Sequence, residues 1–358
     1  MPGEVGEDVM IKSFARHVGG LVLASAMLVG FGADAREMET GPVIVGYVPV
    51  FKGLDAAIAG ADLAAYTHFN LAFANPSPDG RFVDNERMAC MSGGPEGEPS
   101  LDAVRASVAR LQVDGSKVLL SLGGGVIPGC SGDWAELLQP ANRDALLASL
   151  IDLVDRLQLD GLDVDIEGVL LTRIDVEGNY VPFIVALSEA LRSRGKLLTC
   201  ATASYEGGMI PVGSIPYFDL IHLMSYDAIG PSWGEPGAEH STLDGARNDL
   251  DLWIRRGARP EQIVLGVPFY GYGFGGEQAH WSYAEIVAAY PEAVTLDRIG
   301  AACADCRYIT FNGPGTIERK ARLAGSRAAG VMVWEITQDA PDHALTTAIA
   351  RGLADGGD

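Results

Sequence analysis

The stretch 160–168 (DGLDVDIEG) carries three carboxylates, Asp163, Asp165 and Glu167, which alternate with apolar residues. This alternation predicts a β-strand, in which successive side chains point to opposite faces and like-facing neighbours lie about 6.6 Å apart. Three carboxylates in one row repel each other, so we expect at least one raised pKa and a row that titrates as a unit. The row costs stability, and catalysis would explain it, because a protonated carboxyl beside a charged one supplies an acid and an electrostatic stabiliser.

Two explanations that involve no catalysis compete with this one. The order Asp163-x-Asp165-x-Glu167-Gly168 mimics the start of an EF-hand calcium loop, but that loop needs a glutamate at its twelfth position, which here is Ile174. The other is a solvated strand face with incidental acids, which would fit better if the opposite face were polar too. The six histidines form no cluster of metal-ligating type, so neither a metal nor a cofactor is expected.

The acid row belongs to a chain in which strands and helices alternate. Apolar strands are expected at 43–51, 68–74, 117–125, 160–168, 197–204, 219–227, 262–271 and 330–339, with helices between them, including 133–157 with a break near Pro140. Eight such units predict an α/β fold with a closed parallel barrel, the (β/α)8 TIM barrel, and 358 residues suit that fold.

Active sites of such barrels lie at the carboxyl ends of the strands. Polar and aromatic residues cluster at four of these ends: Ser121 on the third strand, Glu167 on the fourth, Tyr226 with Asp227 on the sixth, and Trp334 on the eighth. We therefore expect these side chains to meet around one pocket.

These residues resemble glycoside hydrolase family 18, the chitinases and their relatives. The pattern Asp-Gly-x-Asp-x-Asp-x-Glu at 160–167 matches the family's signature at every specified position. Other motifs that look like the family's are Tyr47, Ser121-x-Gly123-Gly124, Met224-x-Tyr226-Asp227, the stretch 266–271 (GVPFYG) and Trp334. The resemblance covers nearly the whole chain after residue 35.

The resemblance implies substrate-assisted retention, an exception to the two-carboxylate scheme of most glycosidases. Glu167 would be the general acid, and the carbonyl oxygen of the substrate's own 2-acetamido group would attack C1, so no protein nucleophile is needed. Asp165 would orient the acetamido N–H, and Asp163 would hold Asp165 and share a proton with it, with Ser121 beneath as a hydrogen-bond partner. Glu167 would then act as the base for the incoming water.

The resemblance also implies a sugar-binding set. The Tyr226 hydroxyl would hold the acetamido group, Asp227 would bind the sugar nearby, and Trp334 would floor the pocket and stack on the apolar sugar face. The other candidates for substrate binding are Tyr47, Ser121, Gly124, Met224 and Trp233. Barrel packing is the simpler role for Met224, and a tight strand exit would explain Ser121 and the glycines.

Two tryptophans and two departures from the family's pattern need separate treatment. Trp134 opens a helix in an amphipathic register, so core packing is favoured over a sugar platform, whereas for Trp233, in a loop rich in Gly and Pro, both roles fit equally. The family often has an aromatic residue where Ile166 stands and an arginine where Tyr272 stands. Both departures concern the preference of individual sugar sites rather than the chemistry.

Residues 1–35 have the features of a secretory signal peptide. Lys12 and Arg16 precede an apolar run at 18–32, and the sequence ADA at 33–35 provides a cleavage site. The run is too short to span a bilayer; a membrane anchor is the alternative, and Met10 is an alternative start. We expect a secreted or periplasmic protein, free of the membrane after cleavage, whose catalytic barrel is 36–358.

Composition limits the partners. A formal net charge of −21 argues against nucleic acid or an anionic membrane and fits a neutral carbohydrate bound by a monomer. Export permits disulfides: Cys90 and Cys130 lie in adjacent loops at one end of the barrel and are predicted to pair, Cys303 and Cys306 could form a tight local bridge, and Cys200 should be a buried thiol.

Three functions are compatible with this sequence. The leading one is hydrolysis of β-1,4-linked N-acetylglucosamine polymers; the second is an endo-β-N-acetylglucosaminidase acting on glycoprotein glycans or cell-wall material; the third is a catalytically silent glycan-binding protein. Glu167 is present with both aspartate partners, which argues against the third. Sequence does not separate the first two, because specificity lies in loops.

A short α+β insertion is expected between the seventh and eighth strands, at about 272–312. It should contain a helix near 283–290 and strand-like pieces at 293–299 and 307–311. Deep-cleft members of the family place a larger insertion here, so this reduced one predicts an open groove and internal, non-processive cleavage, unless loops after other strands rebuild the wall.

Overall fold

A computed structural model describes residues 41–91, 94 and 97–356, and the predicted signal peptide at 1–35 lies outside them. The described part contains eight parallel strands that close into a barrel, as the sequence predicts. They are β1 (Val43–Pro49), β2 (His68–Ala74), β3 (Lys117–Gly124), β4 (Gly161–Ile166), β5 (Leu197–Thr202), β6 (Leu220–Leu223), β7 (Ile263–Pro268) and β8 (Gly330–Trp334). Each pairs with the next, and β8 pairs with β1.

Helices surround the barrel and bury its apolar strands. They are Leu54–Ala59, Leu101–Leu111, Trp134–Leu137, Arg143–Leu157, Gly168–Val176, Tyr180–Arg192, Leu243–Arg255, Tyr283–Ala289, Pro314–Arg327 and Ala344–Asp355. The predicted break near Pro140 is confirmed by the two separate helices on either side of it. The helix Gly168–Val176 was not predicted; it begins directly after Glu167, whose side chain makes no capping hydrogen bond and is therefore free for the cavity.

Three strands end at least three residues earlier than their apolar patterns predict. The eighth was expected over 330–339 but ends at Trp334, and a 3-10 turn, Ile336–Gln338, follows. The sixth was expected to run over 219–227 but ends at Leu223, and Asp227 has a left-handed backbone with φ of 62°. A non-glycine residue rarely adopts that conformation, and a strand cannot continue through it. The seventh was expected to reach residue 271, but the chain leaves the barrel after Pro268 and enters the insertion as a new strand at Tyr270.

The insertion is a small α+β unit, as predicted. Four short antiparallel strands form a sheet in the order His280–Ser282, Tyr270–Phe274, Tyr308–Thr310 and Arg298–Gly300. The helix Tyr283–Ala289 begins at a capping box in which Ser282 and Glu285 satisfy each other's backbone N–H groups. The predicted strand-like piece at 293–299 is in part a 3-10 turn, Pro291–Thr295, with only Arg298–Gly300 in the sheet.

Cysteine pairing agrees with the sequence-based predictions. Cys90 joins Cys130, and Cys303 joins Cys306, while Cys200 is a buried free thiol. The first bridge connects the loop after β2 to the loop after β3. None of the helices in the described ranges is long and apolar enough to cross a membrane.

Candidate active site

A cavity of about 680 Å³ opens at the carboxyl ends of the barrel strands. Its lining includes three carboxyl side chains, those of Asp165, Glu167 and Asp227. Six aromatic rings also line it: Tyr47, Phe51, Phe73, Tyr226, Trp233 and Trp334. Acids facing aromatic walls suit a ligand that has polar edges and apolar faces, as a sugar ring has.

Asp163 lies fully buried in β4, beneath the cavity. The hydroxyls of Ser121 and Tyr47 donate to its Oδ2 at 2.6 and 2.8 Å, and the Thr199 hydroxyl donates to its Oδ1 at 2.6 Å. Ser121 and Thr199 can reach it because they stand opposite Asp163 in the registers of β3 and β5. His222 Nδ1 lies 3.1 Å from the Tyr47 hydroxyl and completes this polar layer. The negative charge of Asp163 is thus spread over three hydroxyl donors.

Asp165 lies two residues further along β4 and has a different environment. It is 3% exposed, and its Oδ1 has no hydrogen-bond partner among the described residues. Burial raises the pKa of Asp165 well above its ordinary value, and the neighbouring charges of Glu167 and Asp163 raise it further.

The hydrogen-bonding partner of Asp165 is Glu167. That Asp163 shares a proton with Asp165 stays a prediction. Asp163 accepts three hydroxyl hydrogen bonds, and its charge is one of the influences that raise the pKa of Asp165.

Glu167 stands at the end of β4, where the strand gives way to a helix. Burial raises the pKa of Glu167 to about 7. The hydrogen bond from Asp165 lowers this pKa, and the charge of Asp227 raises it. A carboxyl with such a pKa keeps its proton in mildly acidic solution and can release it at moderate cost, as a general acid requires.

Glycines allow the end of β3 to pack closely beside these acids. Gly123 has a φ of 99°, and a Cβ atom there would lie 2.6 Å from the backbone oxygen of Asp165. A Cβ on Gly124, where φ is 96°, would meet the Phe73 ring at 2.7 Å. Both conformations favour glycine. Gly123 and Gly125 line the cavity directly, whereas Gly124 supports it through Phe73.

Tyr226 and Asp227 enter the cavity from the loop after β6. Burial raises the pKa of the Tyr226 hydroxyl, and the charges of Asp227, Asp165 and Glu167 raise it further, so this hydroxyl remains a hydrogen-bond donor. Asp227 accepts a hydrogen bond from the Tyr270 hydroxyl, and its backbone oxygen accepts one from the Trp233 indole at 3.0 Å. These contacts stabilise the unusual backbone of Asp227.

Trp334 forms the floor of the cavity. Its ring stacks on Phe73 with centroids 5.7 Å apart and packs against Tyr47 at 5.5 Å. An indole held in this way by two rings loses little side-chain entropy when a sugar ring stacks on it.

The predicted site residues fall into two layers. Tyr47, Asp165, Glu167, Met224, Tyr226, Asp227, Trp233 and Trp334 line the cavity. Asp163, Ser121 and Gly124 lie behind this lining. Trp233 is 43% exposed. Trp134 is 1% exposed and donates its indole N–H to Asn75, which confirms core packing.

Sequence reasoning missed four residues that shape this site: Phe73, Thr199, His222 and Tyr270. Thr199 and His222 sit inside apolar strands, where a polar residue facing the barrel interior was the available signal. The sequence pattern places Tyr270 in the seventh barrel strand, from which its contact with Asp227 does not follow. Among the described residues, no group of three or more His, Cys, Asp or Glu side chains is arranged to hold a metal ion.

Comparison with known proteins gives a consistent family assignment. The model of glycosyl hydrolases family 18 matches residues 43–339. Among curated relatives, a probable chitinase 10 of Drosophila melanogaster is 25% identical over 65% of this chain and 12% of its own length. A class V chitinase of Arabidopsis thaliana is 24% identical over 75% of this chain and 72% of its own. A chitinase-like effector of Moniliophthora roreri is matched over 58% of its length, so the chain spans only part of several relatives.

Solved structures agree with this assignment. The chitinase ChiB from the chitin utilization locus of Flavobacterium johnsoniae is 29% identical, with a TM-score of 0.74 over 88% of this chain and 95% of that one. A Bacteroides thetaiotaomicron chitinase, at 24% identity and a TM-score of 0.71, shares the fold over 89% of this chain and 98% of that one. The family match spans most of the barrel and includes every predicted catalytic residue. This chain belongs to family 18 of the glycosyl hydrolases.

Proposed function

We propose that this protein cleaves β-1,4-linked N-acetylglucosamine chains, as in chitin, by substrate-assisted catalysis with retention of the β configuration. The observation that carries the proposal is the Asp165–Glu167 pair. It holds a proton at the cavity wall, and the Asp165 Oδ1 beside it has no protein partner. A buried carboxylate oxygen without a donor is costly unless a ligand supplies one. The N–H of a 2-acetamido group is a donor of the right kind.

In the first step, Glu167 donates its proton to the glycosidic oxygen as the bond from that oxygen to C1 breaks. The acetamido carbonyl oxygen attacks C1 from the opposite face and forms an oxazolinium ion. Asp165 accepts a hydrogen bond from the acetamido N–H and balances the positive charge that develops on the oxazolinium ring. The Tyr226 hydroxyl donates to the acetamido group and holds it in the attacking position, while Trp334 supports the sugar from below.

At the start of the second step Glu167 is a carboxylate. Water attacks C1 and gives a proton to this carboxylate. The bond from C1 to the acetamido oxygen breaks, the acetamido group is restored, and the product carries the β configuration after two inversions. Glu167 ends the cycle protonated, ready for the next bond.

Product analysis tests the proposal. The purified protein is incubated with a chitin hexamer and, separately, with a high-mannose glycopeptide, and the products are identified by mass spectrometry. NMR at early times reads the anomer formed. We expect chitin oligomers to be cleaved with β product first. Initial α product would exclude retention, and cleavage of the glycopeptide alone would favour an endo-β-N-acetylglucosaminidase.

A catalytically silent glycan-binding protein is the remaining alternative. The raised pKa of Glu167 opposes it, since a pure binding site gains nothing from a proton held at the cavity wall. Binding of the hexamer without turnover at any pH between 4 and 8 would favour it.

The short strands of the insertion support an open groove and internal cleavage. Its sheet strands have three to five residues each, which makes a low wall beside the cavity. A rapid fall in viscosity of soluble, partly deacetylated chitin with mixed-length products is expected. Release of almost only disaccharide, with the viscosity maintained, would contradict an open groove.

Export and a monomeric state belong to the same proposal. The apolar run at 18–32 and the small residues around Ala35 support removal of a signal peptide. Amino-terminal sequencing of protein from the medium or periplasm should start at Arg36, and light scattering should give the mass of one chain.

A further inference from the structure

The described lining of the cavity carries acidic side chains and no basic one. Three of its described lining residues are acids, and none is lysine, arginine or histidine. The proton shared by Asp165 and Glu167 removes one of these charges in mildly acidic solution. Asp227 lies apart from that pair, on the loop after β6, and its side chain is 36% exposed.

The groups around Asp227 are all neutral. The Tyr270 hydroxyl donates to its Oδ1, and the Tyr272 hydroxyl faces the same carboxylate. His240 Nδ1 lies 3.6 Å from Oδ1, but this imidazole is fully buried, and burial lowers its pKa, so it is uncharged near neutral pH. No lysine or arginine within the described ranges forms an ion pair with Asp227. Its charge is therefore balanced only by dipoles on the protein side, while its other side opens to the cavity.

Such a carboxylate favours a cationic ligand. A charge in a half-enclosed site is screened less than one on an open surface, so a ligand ammonium would gain more here than at an exposed acid. The Trp233 ring, 43% exposed and lining the same cavity, adds an aromatic face that also attracts cations. Chitin is neutral, but each removed acetyl group leaves a glucosamine whose 2-amino group carries a positive charge in mildly acidic solution.

We propose that the cavity beside Asp227 binds the ammonium of a glucosamine residue, so that partly N-deacetylated chitin is the preferred substrate over fully acetylated chitin. This rests on the proposed function, because the sugar that is attacked must keep its 2-acetamido group for substrate assistance. The glucosamine therefore occupies a position next to the attacked sugar.

The test uses half-acetylated soluble chitin and the fully acetylated hexamer with the complete protein. Mass-spectrometric sequencing of products should give N-acetylglucosamine at every new reducing end. At one of the two sugars that flank the attacked one, the ratio of glucosamine to N-acetylglucosamine should be about threefold above the polymer average. The ratio of kcat/KM for the polymer to kcat/KM for the hexamer should fall about tenfold from low to high salt, because only the cationic chain depends on charge.

Tyr272 offers a matched pair of variants. Tyr272 is 5% exposed and lies behind Asp227 rather than in the cavity lining. Tyr272→Arg supplies the missing cation and should remove the enrichment and lower the kcat/KM ratio about tenfold. Tyr272→Phe removes the hydroxyl without adding charge and should leave the ratio within about twofold of the parent. If Tyr272→Arg does not fold, Asp227→Asn serves in its place. Asp227→Asn lowers the turnover of both substrates, so its effect is measured by the same ratio of kcat/KM values.

The outcomes separate this inference from the proposed function. Glucosamine at the new reducing end, or no cleavage of the hexamer, would overturn substrate-assisted hydrolysis itself. A different outcome would overturn only the binding of glucosamine beside Asp227. In that outcome the new reducing ends are acetylated, and the flanking sugars have the glucosamine content of the polymer average. The ratio of kcat/KM values then changes neither with salt nor in Tyr272→Arg.

Discussion

Asp163 and Asp165 lie two residues apart on one face of β4, and both are buried, yet their environments are opposite. Asp163 accepts three hydroxyl hydrogen bonds from β1, β3 and β5. Asp165 has an oxygen without any donor and lies beside a second carboxyl. The inner layer of the barrel therefore stabilises a charge, while the layer at the cavity stores a proton. Identical side chains on one strand acquire different roles because neighbouring strands supply donors to one layer only.

The largest effect should follow from removing the transferable proton in the cavity layer. Glu167→Gln keeps the shape of the side chain, and kcat should fall at least about 10³-fold, within the range that general acid catalysis contributes. Binding of the chitin hexamer, measured by calorimetry, should change only a few-fold. Glu261→Gln, an identical change on the surface, is the control and should leave kcat unchanged. Activity within tenfold of the parent would show that the proton comes from elsewhere.

The alternating pattern was enough to place all three acids on one face, because strand periodicity is a local property of the chain. Which acid receives donors was not predictable, since Thr199 and Tyr47 come from other strands and meet Asp163 only through barrel closure and register. For the same reason the sharing of a proton between Asp163 and Asp165 stays a prediction. Asp227 was found as a site residue, but its left-handed backbone and its contact with Tyr270 depend on how the chain leaves β6 and enters the insertion.

The second prediction changes Asp165 itself. Asp165→Asn removes the charge that balances the oxazolinium ion, so kcat should fall about 10²-fold while KM changes less. The proposed mechanism requires a protonated Glu167, so the activity of the parent protein should be present below pH 7 and decline as pH rises through about 7, the pKa of Glu167.

The same variant should also move this alkaline limb. When the Asp165–Glu167 pair loses its last proton, it already carries one negative charge, and this charge opposes the loss. Asparagine removes that charge. The limb of kcat/KM should therefore shift to lower pH in Asp165→Asn, as measured by a pH–rate profile of each enzyme. An unchanged limb would mean that the two carboxyls titrate independently.

A smaller effect is expected from the charge-stabilising layer. Thr199→Val removes the hydroxyl that donates to Asp163 Oδ1, and His222 Nδ1 is 3.5 Å away, too far to replace it. Without this donor, Oδ1 of Asp163 has no hydroxyl partner among the described residues, so the carboxyl is held less firmly beneath Asp165. The free energy of unfolding should fall by about 1.5–3 kcal/mol, and kcat about tenfold. Thr202→Val, an equal change on the same strand, is the control and should leave kcat unchanged.

The smallest effect should come from Ser121→Ala, although Ser121 is the predicted partner of Asp163 and its hydrogen bond is as short as that of Thr199. The difference lies in redundancy. Asp163 Oδ2 accepts from both Ser121 and Tyr47, so one donor remains after the change, whereas Oδ1 accepts from Thr199 alone among the hydroxyls of the described residues. We expect kcat to fall about threefold, less than in Thr199→Val, because a hydrogen bond that a second donor partly replaces contributes little net free energy.

Ser188→Ala is the matched control for this last variant, since it removes another buried hydroxyl hydrogen bond, to Tyr217, far from the cavity. It should cost similar stability in a denaturant titration but leave kcat unchanged. A loss of kcat in Ser121→Ala as large as in Thr199→Val would contradict the redundancy at Oδ2. It would mean that the two oxygens of Asp163 are equally dependent on their serine and threonine donors, and that Tyr47 directs its proton to His222 instead.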